Sequence, residues 1–185
     1  MKRMRFFSVA VFVYLGVVLL SCASVQPAPP READNTTAKV YFFMPNSGVT
    51  VTASGGLNLG TQFSVWDSET FLTYIGGWQY VALNFEAGTH FFMAVGESWH
   101  IMQAELTAGK TYFYKLNTIP GFRNPNVALE PLDPNDPEIE NYLEKCKEIQ
   151  PKGKIAAGMV NQATQKLNDA KSKGQIEVVP ADKGK

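Results

Sequence analysis

From residue 38 to residue 132 the chain is a string of short β-branched and aromatic runs, each closed within a few residues by glycine, aspartate, serine or proline. Runs of this composition closed by turn residues read as short strands. The runs fall at 39–44, 50–53, 62–66, 71–75, 78–85, 90–95, 99–106 and 111–117, with one more expected at 127–132. Between them stand turn signals such as Gly55-Gly56, Asp67-Ser68, Gly76-Gly77, Ala87-Gly88, Gly96 and Ala108-Gly109. Several runs alternate. Tyr112, Tyr114 and Leu116 share one face of their run, as do His100, Met102, Ala104 and Leu106 of theirs. The pattern predicts a mainly β domain over 38–133, an antiparallel β-sandwich or small barrel of seven to eight strands.

A C-terminal α-helical extension is expected over 134–172. Asp133-Pro134-Asn135-Asp136-Pro137 breaks the β pattern and opens a helix, with Asn135 or Asp136 as cap and Pro137 in the first turn. Ile139, Tyr142, Leu143, Cys146 and Ile149 recur at steps of three and four, the apolar stripe of an amphipathic helix that Pro151 and Gly153 end. A second, weaker helix is expected from 155 to about 170, with Ile155, Met159, Ala163 and Leu167 on a narrow face. The polar tail at 173–185 is expected to be disordered.

The N-terminus reads as a targeting signal over 1–21. Lys2, Arg3 and Arg5 precede an uncharged, mostly apolar run from Phe6 to Leu20. That run of about 15 residues is short for a membrane span, which needs roughly 20. Leu19-Leu20-Ser21-Cys22 follows directly and resembles the bacterial lipobox. A small residue before the cut fits a peptidase, and a thiol is the nucleophile that can take a diacylglyceryl group. Cleavage is therefore expected between Ser21 and Cys22, with lipid attached at Cys22; an uncleaved anchor or a cut near Ala23 is the alternative. Similarity to bacterial lipoproteins implies several acyl chains, which together hold far more firmly than one. Ala23 is not the Asp that commonly retains such proteins at the inner membrane, so the outer membrane is the expected destination. Lipidation consumes one of two cysteines and leaves Cys146 as a small buried hydrophobe. Residues 22–37, with three prolines and no periodicity, read as a flexible tether.

Three segments carry a family resemblance. They are Ala38-Lys39-Val40-Tyr41-Phe42-Phe43, Phe85-Glu86-Ala87-Gly88-Thr89-His90 and Leu106-Thr107-Ala108-Gly109-Lys110-Thr111-Tyr112-Phe113. In order and spacing the stretch 38–132 resembles the bacterial lipoprotein family called domain of unknown function 2846. Met44 stands where that family often has Arg, and Glu86-Ala87 replaces its prolines before Gly88. The resemblance implies a β fold and an envelope location, and no activity.

The residues for chemistry are sparse. Without its first 21 residues the chain has 14 basic and 17 acidic side chains, a balance that argues against nucleic acid as a partner. His90 and His100 have Asp67, Glu97 and Glu105 as potential companions but no ligand spacing, so no metal and no cofactor is expected. No Gly-x-Ser-x-Gly elbow surrounds any serine, and Ala108-Gly109-Lys110-Thr111 precedes a strand rather than the helix a phosphate loop needs. A glycosidase pair of Glu97 and Glu105 is formally open, as it is in any β protein. The aromatics are the candidate contacts: Trp66, Trp78 and Trp99 could fill the core or stack on a ligand, and Trp78, directly after Gly76-Gly77, is the one expected at the surface. The C-terminal lysines could touch anionic headgroups or simply solvate helix faces. The whole reads as a lipid-anchored envelope protein, a non-catalytic binding or structural module for an envelope protein or a peptidoglycan-type glycan, held to the membrane lipid through acylated Cys22. A hydrolase of envelope polymers is the alternative.

Overall fold

The computed structural model describes residues 24–29, 32, 34–46, 50–51, 55, 57–58 and 60–184. The expected leader, with its cleavage at Ser21 and acylation at Cys22, lies outside the described residues. In chain order the strands are β1 (Ser24–Val25), β2 (Thr37–Met44), β3 (Thr50–Val51), β4 (Leu57–Asn58), β5 (Gln62–Asp67), β6 (Thr70–Gly76) and β7 (Gln79–Glu86). Then follow β8 (Gly88–Val95), β9 (Trp99–Leu106), β10 (Thr111–Ile119) and β11 (Asn126–Pro131). The C-terminal part adds α1 (Glu138–Lys145), β12 (Lys147–Glu148), β13 (Ile155–Ala156), α2 (Ala157–Lys173) and β14 (Glu177–Val179).

The predicted sandwich with a helical extension is what forms. Two five-stranded sheets face each other, one in the order β11-β10-β2-β7-β12 and the other β14-β9-β8-β5-β6. Their pairing is mixed. Most neighbours are antiparallel, but β2 runs parallel to β10 (Lys39 opposite Thr111), β7 to β12 and β9 to β14. The cause is the route of the chain. The turns at 76–78, 86–88 and 107–110 carry it from one sheet to the other, so strands entering from the same end meet side by side. Residue alternation reports which face is buried and is blind to direction.

Val40, Phe42, Phe63, Val65, Phe92, Tyr114 and Leu116 fill the space between the sheets. Phe42 meets Phe92 edge-on at 5.1 Å, and Phe92 meets Tyr114 at 5.4 Å, a favoured geometry for quadrupolar rings. Both outer faces are covered as well. Helix α1 lays Ile139 and Tyr142 on Phe43 and Phe113 of the first sheet. Helix α2 lays Ala163 and Leu167 on Trp66, Phe71 and Met93 of the second. This double coverage explains why β2 reads as nearly continuous Val-Tyr-Phe-Phe-Met rather than as clean alternation.

Three expected features differ. The first helix ends at Lys145, not near Pro151, because Cys146 turns to extended backbone and Lys147–Glu148 pairs with β7. Cys146 and Ile149 still point inward, so they keep a helical spacing while lying beyond the helix. The tail at 173–185 is ordered in part: Glu177–Val179 extends the second sheet beside β9, Val179 is buried, and the Tyr112 hydroxyl donates to the Ala181 carbonyl at 3.2 Å. The tether at 22–37 is docked where it is described. Ser24–Val25 pairs with Ile155–Ala156, and the Ala28 N–H donates to the Phe71 carbonyl at 3.0 Å. Composition marked both segments as free chain; the unpaired backbone groups of a sheet edge capture them.

Candidate functional site

The register divides the turns between two ends of the sandwich. One end carries 34–36, 67–70, 86–88 and 107–110; the other carries 45–46, 76–78, 96–98 and 119–126. At the second end the backbone of Trp78 is locked. Its N–H donates to the carbonyls of Met44 (2.8 Å) and Asn46 (3.0 Å), and its carbonyl accepts the Lys147 N–H at 2.9 Å. These bonds hold Trp78 at φ +55°, the left-handed region that costs an L-residue about 1–2 kcal/mol and that glycine normally fills. The indole is nevertheless 46% exposed.

Beside it the β10–β11 loop is pinned from the other sheet. The Glu97 carboxylate accepts the Arg123 N–H at 3.1 and 3.2 Å and the Asn124 N–H at 3.4 Å, while the Glu97 N–H donates to the Pro125 carbonyl at 3.0 Å. Gly121 is obligatory, since a Cβ there would lie 1.9 Å from the Asn124 carbonyl oxygen. The Asn46 amide donates to the Thr118 hydroxyl at 3.1 Å, tying the end of β10 to the segment that follows β2. This rigid frame presents Phe122, 66% exposed, and Ile119, 45% exposed. Among the described residues five large apolar side chains are left exposed, and three of them, Trp78, Ile119 and Phe122, stand at this one end.

The other two candidate tryptophans behave differently. Trp66 is fully buried beneath α2, with its indole N–H donating to the Ser64 hydroxyl at 3.0 Å. It is core and offers no face to a ligand, a correction to its candidacy. Trp99 packs against Trp66 with ring centroids 5.8 Å apart and the planes tilted by 50°. It is half-buried, lining a groove of about 500 Å³ with His100, Lys166, Asp169 and Lys173. Phe122 and Ile119 are not among the sequence candidates, because glycine and proline mark the turn itself and not the side chains that it presents. The usable signal was an isolated aromatic in Pro120-Gly121-Phe122-Arg123-Asn124-Pro125, a loop with no strand to hide it.

Each histidine is employed by the fold. His90 Nδ1 lies 2.7 Å from Asp67 Oδ2, and Nε2 lies 2.9 Å from the Glu86 carbonyl oxygen. Both partners are acceptors, so both ring nitrogens must donate for the pair to be satisfied. Burial alone lowers the affinity of this imidazole for a proton, but the Asp67 hydrogen bond and charge, with the Glu86 carbonyl, outweigh it and raise the pKa. A hollow of about 200 Å³ beside it is smaller than the usual ligand cavity of roughly 300–1,000 Å³. His100 is the reverse case: burial lowers its pKa, and Nδ1 accepts the Leu129 N–H at 3.1 Å, joining the two sheets as neutral imidazole. Glu97 and Glu105 do not form a pair; Glu97 holds the 121–124 loop and Glu105 accepts from Thr89 at 2.9 Å. Among the described residues no three His, Cys, Asp or Glu side chains are placed to hold a metal, and no helix is long and apolar enough to cross a membrane. The chain matches no protein-family model, no curated protein and no solved structure.

Proposed function

We propose that this chain is a lipid-anchored cell-envelope protein, of the kind the resemblance to domain of unknown function 2846 implies, whose sandwich is a non-catalytic binding module. Acylated Cys22 supplies the position, with the outer membrane as the destination. The end bearing Trp78, Ile119 and Phe122 supplies the surface for an envelope protein or glycan.

One observation carries the reading. Trp78 combines a backbone conformation suited to glycine with a side chain that is half out of the fold. Folding gains little from a tryptophan at such a position, and strain retained at an exposed aromatic is a mark of recognition rather than packing. Aromatic faces of this kind serve both protein partners and sugar rings. The hydrolase alternative has less support, because the imidazole with a carboxylate beside it has no free nitrogen for proton transfer.

Photo-crosslinking in intact cells, with the reactive side chain at position 122, tests the reading. A discrete adduct with an envelope protein or with peptidoglycan is expected, lost in a Trp78→Ala background. Adducts no different from those obtained with the crosslinker at exposed Glu140 of α1 would overturn it. The anchor is tested by incorporation of labelled fatty acid, which Cys22→Ala must abolish.

A further inference from the structure

We propose that the layer formed by α2 and β13 is the face of this protein that lies against the anionic surface of the membrane holding it. This inference rests on the lipidation of Cys22 proposed above.

The first support is distance along the chain. Ser24 and Val25 are paired with Ala156 and Ile155, immediately before α2, and Val25 packs among the residues of that outer layer. Cys22 is two residues from Ser24, so covalent geometry keeps their Cα atoms within about 7 Å. A lipid on Cys22 therefore enters the bilayer beside the start of α2. The docked tether is a short leash, not a spacer that lets the domain stand off.

The second support is charge. Residues 152–177 carry Lys152, Lys154, Lys166, Lys171 and Lys173 against Asp169 and Glu177, and all seven side chains are exposed. Lys171 in addition sits 3.8 Å above the ring of Phe91, fixing its stem along the sheet. On the opposite outer layer, residues 133–148 hold six carboxylates and two lysines. The α2 segment thus carries an excess of basic side chains and the α1 segment an excess of acidic ones, and the lipid is leashed to the basic one. Anionic headgroups attract lysines within a Debye length and repel carboxylates, so both terms favour the same orientation. The outward ridge of α2, Asn161, Gln165, Asn168 and Ser172, is polar and uncharged and can meet headgroups without a desolvated carboxylate.

The full-length precursor, processed in cells and extracted from membranes, tests this after reconstitution into phosphatidylcholine vesicles with or without phosphatidylglycerol. In a Cys146→Ala background, a fluorophore is attached at Gln165→Cys of α2 or at Glu140→Cys of α1, both exposed positions. Lipids with a nitroxide on the headgroup act as quencher. The label at 165 is expected to be quenched several-fold more than the label at 140 in vesicles containing phosphatidylglycerol. That advantage is expected to shrink without the anionic lipid or in the K154Q/K166Q/K173Q variant. Equal quenching, or stronger quenching at 140, in protein whose N-terminal peptide carries acyl chains overturns the orientation alone. An advantage at 165 that ignores the anionic lipid overturns its electrostatic basis. An N-terminal peptide without acyl chains overturns the orientation and the anchoring together.

Discussion

The two ends of the sandwich use the same kinds of residue to opposite purpose. At one end the polar groups serve the fold, with His90 held between Asp67 and the Glu86 carbonyl. At the other, Glu97 and the backbone around Trp78 are spent on keeping apolar side chains in water. A hydrogen-bond network that buries its own members is structural. One that props up an exposed tryptophan in a left-handed conformation does not bury its own members, and it is on this contrast that the proposed binding role rests. The difference teaches that a histidine–carboxylate contact is a weaker pointer to function here than a strained turn.

Substitutions can break or sharpen this contrast. The largest effect belongs to a tryptophan away from the exposed apolar end. Trp66→Ala removes a fully buried indole and is expected to cost about 3–5 kcal/mol in chemical denaturation, while the molecules that fold retain their adduct at position 122. At the polar end, Asp67→Ala leaves a mostly buried imidazole without its carboxylate and the Phe91 N–H without an acceptor. About 2 kcal/mol of stability is expected to go, again with the adduct unchanged. At the end proposed to bind, the sign of a familiar rule should invert. Trp78→Gly is expected to be more stable than Trp78→Ala by about 1 kcal/mol, because only glycine is relaxed at φ +55°, and both variants should lose the adduct.

The smallest effect is the dependence on pH, where the two histidines oppose each other. The pKa of His90 is raised on folding, so its contribution is complete below its unfolded value of roughly 6.5 and is lost as pH rises through the folded value. The pKa of His100 is lowered, so its contribution is complete above that unfolded value and is lost as pH falls through the folded one. Unfolding midpoints measured between about pH 5 and 8 should tilt in opposite directions for the two single variants. Stability rises with pH in His90→Gln and falls with pH in His100→Gln. Parallel tilts would mean that one of the two environments is misassigned.

Much of this was legible in the sequence where the signal is local. The inward faces of β9 and β10 follow from every second residue, as Met102, Ala104, Leu106 and Tyr112, Tyr114, Leu116 are all buried. Trp78 was legible because Gly76-Gly77 announces a tight turn, and a bulky residue directly after it has little room to fold back. Pairing at the edges was not legible. Ser24–Val25 and Glu177–Val179 join their neighbours chiefly through backbone groups, which every sequence carries, and each adds only one inward-facing valine as a hint. The role of His90 was half visible: Asp67 stood among its potential companions, but no spacing reveals that a carbonyl 4 residues back occupies the second nitrogen.

The claim that the Trp78 and Phe122 end serves recognition and not folding is most directly tested by one paired measurement on a Trp78→Gly/Phe122→Ser variant. Its denaturation midpoint and its in-cell crosslinking yield from Ile119 are read side by side. A midpoint that is unchanged or raised, with the adduct gone, is the predicted result. A lowered midpoint with the adduct intact would contradict it.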